Sequence, residues 1–287
     1  MATLSFTQVE FGAVSLSLKG KLLLAGAGKM GGAMLTGWLD RGLAPSQIIV
    51  QDPAPPPENA ELISRHGIEM RQPGAPLPEP PAVILVAVKP QIMDQVFPEL
   101  ATQAGPETLV LSIAAGKTIA SFEAHLPAGS AVVRSIPNTP AAIGRGITVC
   151  CANAHVSTSQ REMCQSLLSA IGEVGWVEDE GLIDAATAVS GSGPAYVFLL
   201  AECLAEAGRA IGLDADLAKR LANATVSGAG ELLRQSGLEP SVLRQNVTSP
   251  GGTTAAALEV LMAKDGLQPL LVRAVEAAAR RSRELSG

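Results

Sequence analysis

Apolar residues follow two different rhythms along this 287-residue chain. In the first part, short apolar runs alternate with amphipathic stretches, a pattern typical of parallel strands that are covered by helices on both faces. The runs predicted as strands are 22–25, 48–51, 82–88, 109–113, 131–135, 147–150 and 174–177. From about 178 to 285 apolar residues recur at helical spacing. The pattern predicts a doubly wound α/β domain over 21–177 and an all-α domain over 178–287.

Glycines and capping residues set the predicted helix limits. In the first part, helices are predicted over 30–41 and 58–66, and Ser159-Gln160-Arg161-Glu162 has the pattern of a capping box that opens another. In the second part, the predicted helices are 182–189, 194–211, 215–235, 254–263 and 267–285. Their many alanines and glycines allow close helix packing, either within the chain or against a second copy. We expect a homodimer at least.

Composition and charge exclude several classes of function. The formal net charge is −6, which argues against binding nucleic acid through its phosphates. The four cysteines form no C-x-x-C pair and the three histidines have no metal-ligand spacing, so we expect no metal site and reduced thiols in the cytoplasm. No apolar run reaches the ~18–20 residues that span a bilayer, so we expect no membrane partner.

Residues 1–20 precede the first predicted strand and lack the basic and apolar segments of a secretory signal. We interpret them as an N-terminal extension. The β-prone stretch 9–18 could form an ordered edge strand. An unstructured tail is the alternative, and we favour the tail.

One short turn, Gly26-Ala27-Gly28-Lys29-Met30-Gly31, joins the first predicted strand to the first predicted helix. Its G-x-G-x-x-G spacing suits a dinucleotide: Gly26 permits the turn, Gly28 lets the backbone approach a pyrophosphate, and Gly31 lets the helix pack on the strand. A tight turn without a ligand is the alternative. Because a second strand follows in the right order, the motif predicts a Rossmann-type domain that binds NADH or NADPH.

Two further loops fall at the carboxyl ends of predicted strands, where ligands of doubly wound sheets bind. In Ala87-Val88-Lys89-Pro90, Lys89 is placed to meet a cofactor phosphate or ribose, or else is a solvated lysine at a strand end. In the second loop, small residues at Ala114, Ala115 and Gly116 would let a flat nicotinamide ring lie against the backbone.

The helical part contains two glycine-rich turns, over 189–196 and 246–254, each predicted to open a helix. Free N–H groups and the helix dipole would make each turn a receptor for a carboxylate or phosphate. No histidine falls in these turns or in the strand-end loops, so the usual general base of a hydroxyacid or alcohol dehydrogenase is missing. Reduction of a protonated imine needs mainly correct positioning, and a single hydroxyl could stabilise the amine that forms.

These segments together resemble the pyrroline-5-carboxylate reductase family, whose enzymes catalyse the last step of proline biosynthesis. The matching stretches are Gly26–Gly31, Ala87–Pro90, Ser112–Gly116, Pro137–Pro140, Ser190–Tyr196 and Ser249–Thr254. The last two are the most specific, since the first is shared with many dehydrogenases. The resemblance implies a dinucleotide-binding domain followed by a helical dimerisation domain, with dimers that often assemble into larger rings. It also implies reduction of 1-pyrroline-5-carboxylate to L-proline by hydride transfer from NAD(P)H to the ring imine carbon.

The resemblance also implies roles for residues in this sequence. Backbone amides around Gly252 and Thr253 would hold the substrate carboxylate, and Thr254 would be catalytic by hydrogen-bonding the ring nitrogen as it becomes an amine. Glu180 and Asn246 match positions near the substrate and the cofactor respectively. The implied substrate-binding residues are Glu180, Ser249, Gly251, Gly252, Thr253 and Thr254.

Two positions depart from the family's usual residues. Lys29 stands where the family usually has a small polar residue, and Asp52 stands where NADPH-preferring members usually have Ser, Thr or Asn. Asp52 lies 24 residues after Gly28, close to the ~20 expected for an acid that binds the ribose 2′-hydroxyl. A carboxylate there repels a 2′-phosphate, so the family implies NADPH whereas Asp52 argues for NADH. The expected cofactor-binding residues are Gly26, Ala27, Gly28, Lys29, Met30, Gly31, Asp52, Ala87, Val88, Lys89, Pro90, Ala114, Ala115, Gly116 and Asn246.

Two other functions fit the same domain plan. A 3-hydroxyacid dehydrogenase would need a catalytic lysine on the helix after 190–193, and residues 196–210 contain none. A non-catalytic nucleotide-sensing protein would have no need for the intact turn over 249–254. We therefore expect an imine reductase.

Overall fold

The structure, a computed structural model, describes residues 5–6, 16 and 18–286. Contacts between Cα atoms divide the chain into two units: Met1–Gly191 with Ala279–Gly287, and Ser192–Ala278. The boundary predicted between 177 and 178 follows the last strand of the sheet. By contacts, the first unit also keeps the helical residues up to Gly191 and the end of the last helix.

The described residues of the first unit form a nine-stranded sheet in the order β1-β9-β8-β7-β6-β5-β2-β3-β4. The strands are β1 Ser5–Phe6, β2 Leu22–Ala25, β3 Ile48–Gln51, β4 Glu69–Arg71, β5 Val83–Val86, β6 Leu109–Ser112, β7 Ala131–Ile136, β8 Gly146–Ala152 and β9 Gly172–Trp176. From β4 to β7 all neighbours are parallel, with Leu22 of β2 paired to Ile48 of β3 and Val83 of β5. This segment has the strand order of a doubly wound dinucleotide fold, and its switch point lies between β2 and β5.

Helices cover both faces of this sheet. They are α1 Lys29–Asp40, α2 Pro57–His66, α3 Met93–Ala101, α4 Ile119–Glu123, α5 Thr158–Ser169 and α6 Leu182–Ala186. One core contains Trp38 of α1 on Leu24 of β2, and the other contains Phe97 of α3 with Ile84 of β5. Every residue of β2, β3, β5, β6 and β7 is buried, as the continuously apolar runs predict.

The structure corrects several details of the prediction. Strands β1 and β4 and helices α3 and α4 are present although the pattern predicted none of them. The predicted box at Ser159 was wrong: Ser157 is the N-cap of α5, where its Oγ accepts from the Gln160 N–H at 3.3 Å and Gln160 Oε1 accepts from the Ser157 N–H at 2.9 Å. Both serines are followed three residues later by Gln or Glu, so the local pattern alone could not select the register.

The described part of the N-terminal extension is ordered. Ser5 and Phe6 pair antiparallel with β9 as an edge strand. The Leu16 N–H donates to the Arg41 carbonyl at 2.9 Å, and the Leu16 and Leu18 side chains are buried. These contacts favour the ordered alternative for these residues; most of the β-prone stretch 9–18 lies outside the described residues.

The second unit is helical, as predicted. Its helices are α7 Gly193–Ala210, α8 Ala215–Ser236, α9 Pro240–Asn246, α10 Thr253–Leu261 and the first part of α11 Leu267–Ser286. Helices α7 and α8 pack closely because Gly208 has no Cβ; one placed there would lie 3.3 Å from the Ala218 Cβ. Among the described residues 192–278, only Ala218 and Ala222 are buried, whereas Phe198 is 62% exposed and Val260 is 72% exposed.

One helical run is long and apolar enough to span a bilayer, although no such run was expected from the sequence. Leu182–Ala210 is continuous over 29 residues, has a mean hydropathy of 1.3 in its most apolar window, and meets the length and composition of a membrane span. Only 6% of that window is buried within the single chain. A membrane and a second protein chain would both cover such a surface, so composition alone does not choose between them.

Candidate active site

The glycine-rich turn lies at the switch point of the sheet, between β2 and α1. Gly26 has φ +95°, and a Cβ there would lie 2.7 Å from the Ala87 carbonyl oxygen at the end of β5. A Cβ on Gly31 would overlap the carbonyl oxygen of Gly26. A Cβ on Gly28, in contrast, would meet no atom of the described residues within 4 Å. The turn is therefore closely packed at Gly26 and Gly31 and open at Gly28, which leaves space for a pyrophosphate at the start of α1.

Asp52 stands beside this turn, directly after β3. Its Oδ2 accepts from the Ala27 N–H at 2.7 Å, and its Oδ1 accepts from the Ala54 N–H at 2.8 Å. Each carboxylate oxygen has a second lone pair for a hydroxyl donor. The position fits a ribose hydroxyl, and the carboxylate also shapes the turn itself.

Asn59 of α2 is a site residue that the sequence analysis missed. Its Nδ2 donates to the Ala27 carbonyl at 2.7 Å and to the Gly28 carbonyl at 3.1 Å. The side chain is buried one turn before Ile63 on the same face of α2. An amide at a position where the helical pattern requires an apolar residue was the available signal.

The loop after β5 remains accessible. Lys89 is exposed, and Ala87, Val88 and Pro90 are half-buried. The structure thus leaves the Lys89 ammonium free to reach a bound anion, and is equally compatible with a solvated lysine.

The loop after β6 divides into two parts. Ala114 is buried and its N–H donates to Ser112 Oγ at 3.2 Å, while Ala115 is exposed. Gly116 has φ +72°, and a Cβ there would lie 3.0 Å from the Leu285 carbonyl oxygen at the end of α11. Packing against α11 is a structural reason for this glycine, whereas Ala115 faces solvent.

A cluster of charged side chains lies beside the carboxyl end of β7, with Arg134 and Asp184 buried and Glu180 half-buried. Arg134, 4% exposed, donates from Nη1 to Glu180 Oε1 at 2.9 Å, and its Nη2 lies 3.8 Å from Asp184 Oδ1. Asp184 also accepts from Ser282 Oγ at 2.6 Å. Glu180 Oε1 further accepts from the Ile119 N–H at the start of α4. Glu180 was predicted from the sequence, but Arg134 and Asp184 were not. Residues so far apart in the chain form no local motif that would show that they are partners.

The thiols of Cys150 and Cys151, near this cluster, have raised pKa values and are therefore poor nucleophiles. Burial, together with the nearby carboxylates of Glu180 and Glu178, raises the pKa of Cys151 to about 11. Burial also raises the pKa of Cys150 well above its usual value. Cys150, Cys151 and Cys164 are buried, whereas Cys203 is exposed.

The first predicted anion receptor of the helical part has a different conformation. Thr187–Gly191 form one π-helical turn that runs directly into α7, whose N-cap Ser192 is itself in the right-handed helical region. Asn138, in the rigid loop after β7, donates to the Ser190 carbonyl at 3.1 Å and thereby holds this turn. The helix start expected at Pro194 agrees with α7, which begins at Gly193. The residues before it form a π-helical turn instead of the expected glycine-rich turn with free N–H groups.

The second predicted receptor is an open turn. It runs from the end of α9 at Asn246 to Gly252, the N-cap of α10, and Gly251 has φ +69°. The Gly252 N–H donates to the Ser249 carbonyl at 3.1 Å, and no side chain caps α10. The N–H groups of the first turn of α10 therefore have no intrahelical acceptor, and the half-buried Thr254 lies among them.

The structure thus gathers the predicted residues into two groups. Within the first unit it brings together the glycine-rich turn, Asp52 and the loop after β5. Within the second unit it brings together Ser249, Gly251, Gly252, Thr253 and Thr254, with Asn246 exposed at the end of α9. The first group fits a dinucleotide and the second fits a small carboxylate.

Comparison with known proteins assigns the chain to a family. A family model described as pyrroline-5-carboxylate reductase dimerisation matches residues 180–285, and one described as NADP oxidoreductase coenzyme F420-dependent matches residues 21–116. The pyrroline-5-carboxylate reductase of Pseudomonas aeruginosa is 41% identical over 266 residues, which cover 93% of this chain and 97% of that protein. The chain belongs to the pyrroline-5-carboxylate reductase family. The resemblance predicted from the sequence is confirmed.

Solved structures agree with this assignment. The pyrroline-5-carboxylate reductase of Coxiella burnetii matches with a TM-score of 0.86 and 34% identity, covering 94% of this chain and all of that one (100%). The pyrroline carboxylate reductase of Plasmodium falciparum, solved with NADP bound, matches with a TM-score of 0.76 and 28% identity over 94% and 99% of the two chains. The predicted fold class is confirmed, and a nicotinamide cofactor is supported. The dimerisation model covers the helical part, which supports a homo-oligomer.

Proposed function

We propose that this chain reduces 1-pyrroline-5-carboxylate to L-proline, with a nicotinamide nucleotide as the hydride donor. The observation that carries the proposal is the open first turn of α10, where backbone donors without a capping side chain stand next to the Thr254 hydroxyl. Family membership supports it. In this role the backbone amides at the start of α10, beginning with Thr253, bind the substrate carboxylate. The Gly252 N–H donates to the Ser249 carbonyl and, with Gly251, shapes the turn.

The chemistry asks little of the protein beyond positioning. When bound, the nicotinamide supplies the hydride that adds to the ring imine carbon. Thr254 donates a hydrogen bond to the ring nitrogen, whose electron density rises as the C=N bond becomes single. A protonated imine is already electrophilic, so no histidine or lysine base is required.

Glu180 has a supporting role in this proposal. Among the described residues its hydrogen bonds are on Oε1, with Arg134 and Ile119 as donors, so Oε2 can accept a hydrogen bond from a substrate. The buried Arg134 guanidinium fixes the direction of that carboxylate.

For the cofactor, we propose a preference for NADH. Asp52 beside the turn would accept a hydrogen bond from the adenosine ribose and repel a 2′-phosphate, and no lysine or arginine occurs from Gln51 to Ser64. The exposed Lys29 at the start of α1 is the cation that could oppose this preference. Asn246 at the end of α9 completes the proposed cofactor residues.

The assembly and location are also proposals. The chain forms a homodimer through the exposed apolar faces of the second unit, and such dimers could close into a larger ring. A covering partner chain, rather than a bilayer, then explains the apolar run Leu182–Ala210. We place the enzyme in the cytoplasm, without a nucleic-acid partner.

The test of the activity is the oxidation of NADH or NADPH, followed by absorbance, with and without 1-pyrroline-5-carboxylate. Substrate-dependent oxidation with proline as the product is expected. Oxidation of NADH or NADPH by a 3-keto acid, or reduction of NAD+ or NADP+ by the matching 3-hydroxyacid, without turnover of the imine would favour the dehydrogenase alternative. Cofactor binding without turnover of any of these would favour a nucleotide sensor.

The test of the cofactor preference is the pair of kcat/KM values for NADH and NADPH. A partly solvated carboxylate near a 2′-phosphate costs on the order of 1–3 kcal/mol, so NADH should be favoured roughly ten- to a hundredfold. Asp52→Ser combined with Pro53→Arg should narrow or reverse the ratio. A wild-type preference for NADPH at low salt would mean that Asp52 serves only the turn, or that Lys29 outweighs it.

A further inference from the structure

Asn59 sits at a position where the fold normally places an apolar side chain. It lies in the first turn of α2, it is 9% exposed, and it shares the buried face of that helix with Ile63. Burying a carboxamide is costly unless its polar atoms find partners. Asn59 finds its partners on the glycine-rich turn.

The Asn59 carboxamide and the Asp52 carboxylate together hold the backbone of this turn. Asn59 Nδ2 donates to the carbonyl oxygens of Ala27 and Gly28, and Asp52 Oδ2 accepts from the Ala27 N–H. Carbonyl oxygens only accept, so the orientation of the carboxamide follows from its partners. Both polar groups of Ala27 are thus bound by side chains that come from outside the turn.

Gly32 gives independent evidence that the sequence accommodates the Asn59 carboxamide at this place. A Cβ on Gly32 would overlap the Asn59 carboxamide. Gly32 is buried inside α1, where glycine lowers helix stability. The absence of a side chain at Gly32 is therefore matched to the presence of the amide at Asn59.

Because peptide units are planar, these hydrogen bonds also determine where backbone N–H groups of the turn point. The Ala27 carbonyl shares one peptide unit with the Gly28 N–H, and the Gly28 carbonyl shares the next with the Lys29 N–H; in a trans peptide the two groups point in opposite directions. The Gly28 carbonyl also accepts from the Gly32 N–H at 2.7 Å, so α1 itself sets the direction of the Lys29 N–H. The Ala27 carbonyl is bound by Asn59, so the Gly28 N–H points away from α2. The front of the turn at Gly28 is open on the side where a Cβ would stand.

We propose that Asn59 is a positioning residue for the nicotinamide nucleotide: by binding the Ala27 carbonyl it aims the Gly28 N–H group at the pyrophosphate. The proposal rests on the nucleotide binding proposed above. It differs from the ribose role of Asp52, because the pyrophosphate is common to NADH and NADPH. Asn59 therefore controls affinity for both nucleotides equally and has no part in choosing between them.

The test compares Asn59→Leu and Asn59→Asp with the wild-type enzyme, by isothermal titration of NADH and of NADPH. Loss of the donor to two carbonyls should raise both Kd values roughly ten- to a hundredfold and leave their ratio unchanged. The KM for pyrroline-5-carboxylate at saturating cofactor should stay at the wild-type value. In Asn59→Asp the ionised carboxylate would face two carbonyl oxygens, so binding should be weakest at alkaline pH and recover as the carboxyl is protonated and donates.

Asn153→Leu is the matched control. Asn153 donates to the Ser130 carbonyl at 2.9 Å and accepts from the Val132 N–H at 3.2 Å, so it also holds a turn of the first unit, but not this one. It should lower Tm without changing either Kd. Wild-type Kd values in the Asn59 variants, or an equal rise in Asn153→Leu, would overturn the proposal. Failure of the wild-type enzyme to bind either nucleotide would instead overturn the proposed function.

Discussion

The two units of this chain differ in how completely they bury their own apolar side chains. In the first unit five consecutive members of the sheet are buried at every residue, and helices close a core on each face. In the second unit, among the described residues 192–278, only two alanines are buried, and leucines and valines along α7, α10 and α11 are largely exposed. An apolar surface of this extent is costly in water. The first unit has the core of an independent domain, whereas the second needs another chain to complete its core.

The largest expected effect comes from placing a charge on that open surface. Leu199 of α7 is 57% exposed, and Leu199→Asp should prevent association because a carboxylate cannot be buried without a partner. We expect a monomer by light scattering and loss of reductase activity, with the nucleotide still bound by the first unit.

Met70→Asp makes the same change on an apolar residue of the first unit. Met70 is 45% exposed on the edge strand β4. This variant should keep the wild-type mass and activity. A Leu199→Asp enzyme that stays oligomeric would place the subunit interface on another face of the second unit.

The second prediction compares the loss of stability when an arginine is removed from a buried ion pair of the first unit and from an exposed ion pair of the second. Arg134 and Asp184 are buried and Glu180 is half-buried, so Arg134→Met leaves one buried carboxylate without its cation and should cost about 3 kcal/mol of unfolding free energy. Arg234→Met on α8 removes the partner of Glu231 on the exposed surface and should change stability little. Urea unfolding followed by circular dichroism measures both.

A double variant sharpens this test. Adding Asp184→Asn to Arg134→Met removes the charge of the buried carboxylate that has lost its cation and should restore part of the lost stability. If Arg134→Met is no less stable than Arg234→Met, water reaches the cluster and its charges are screened.

The difference between the units also explains what the sequence could and could not predict. The buried strands were predicted within a few residues because a run such as Val83–Val86 is apolar at every position, and the glycine-rich turn was predicted because its spacing is local. Asn59 and Arg134 were missed because their partners lie 32 and 46 residues away in sequence, where no periodicity connects them. Over 189–196 the local signal was half sufficient: Pro194 marked the start of α7, but the Ser and Gly residues before it suggested an open turn where the chain forms a π-helical one.

The third prediction addresses the turn at the start of α10, in the second unit. Thr254→Ala should lower kcat more than it changes the KM for pyrroline-5-carboxylate, because the proposed hydrogen bond strengthens as the nitrogen becomes an amine. A hydrogen bond of this kind contributes ~1–3 kcal/mol, or roughly a ten- to hundredfold change in rate. Nucleotide affinity should not change. Wild-type kinetics in a folded variant would remove Thr254 from the mechanism.

The last prediction uses alkylation of the native cysteines to report on the exposure of each unit. The Cys151 pKa of about 11 means that its thiolate is scarce at neutral pH, so alkylation in the first unit should be slow and should rise as the pH approaches that value. Cys203 of α7 is exposed in the single chain, and it lies four residues after Leu199 on the same helix face. If a second chain covers this face, Cys203 is alkylated slowly in the wild type and quickly in Leu199→Asp, while Cys151 stays slow in both. Fast alkylation of Cys203 in a wild-type oligomer would mean that this face of α7 stays open to water, and that the second unit completes its core elsewhere.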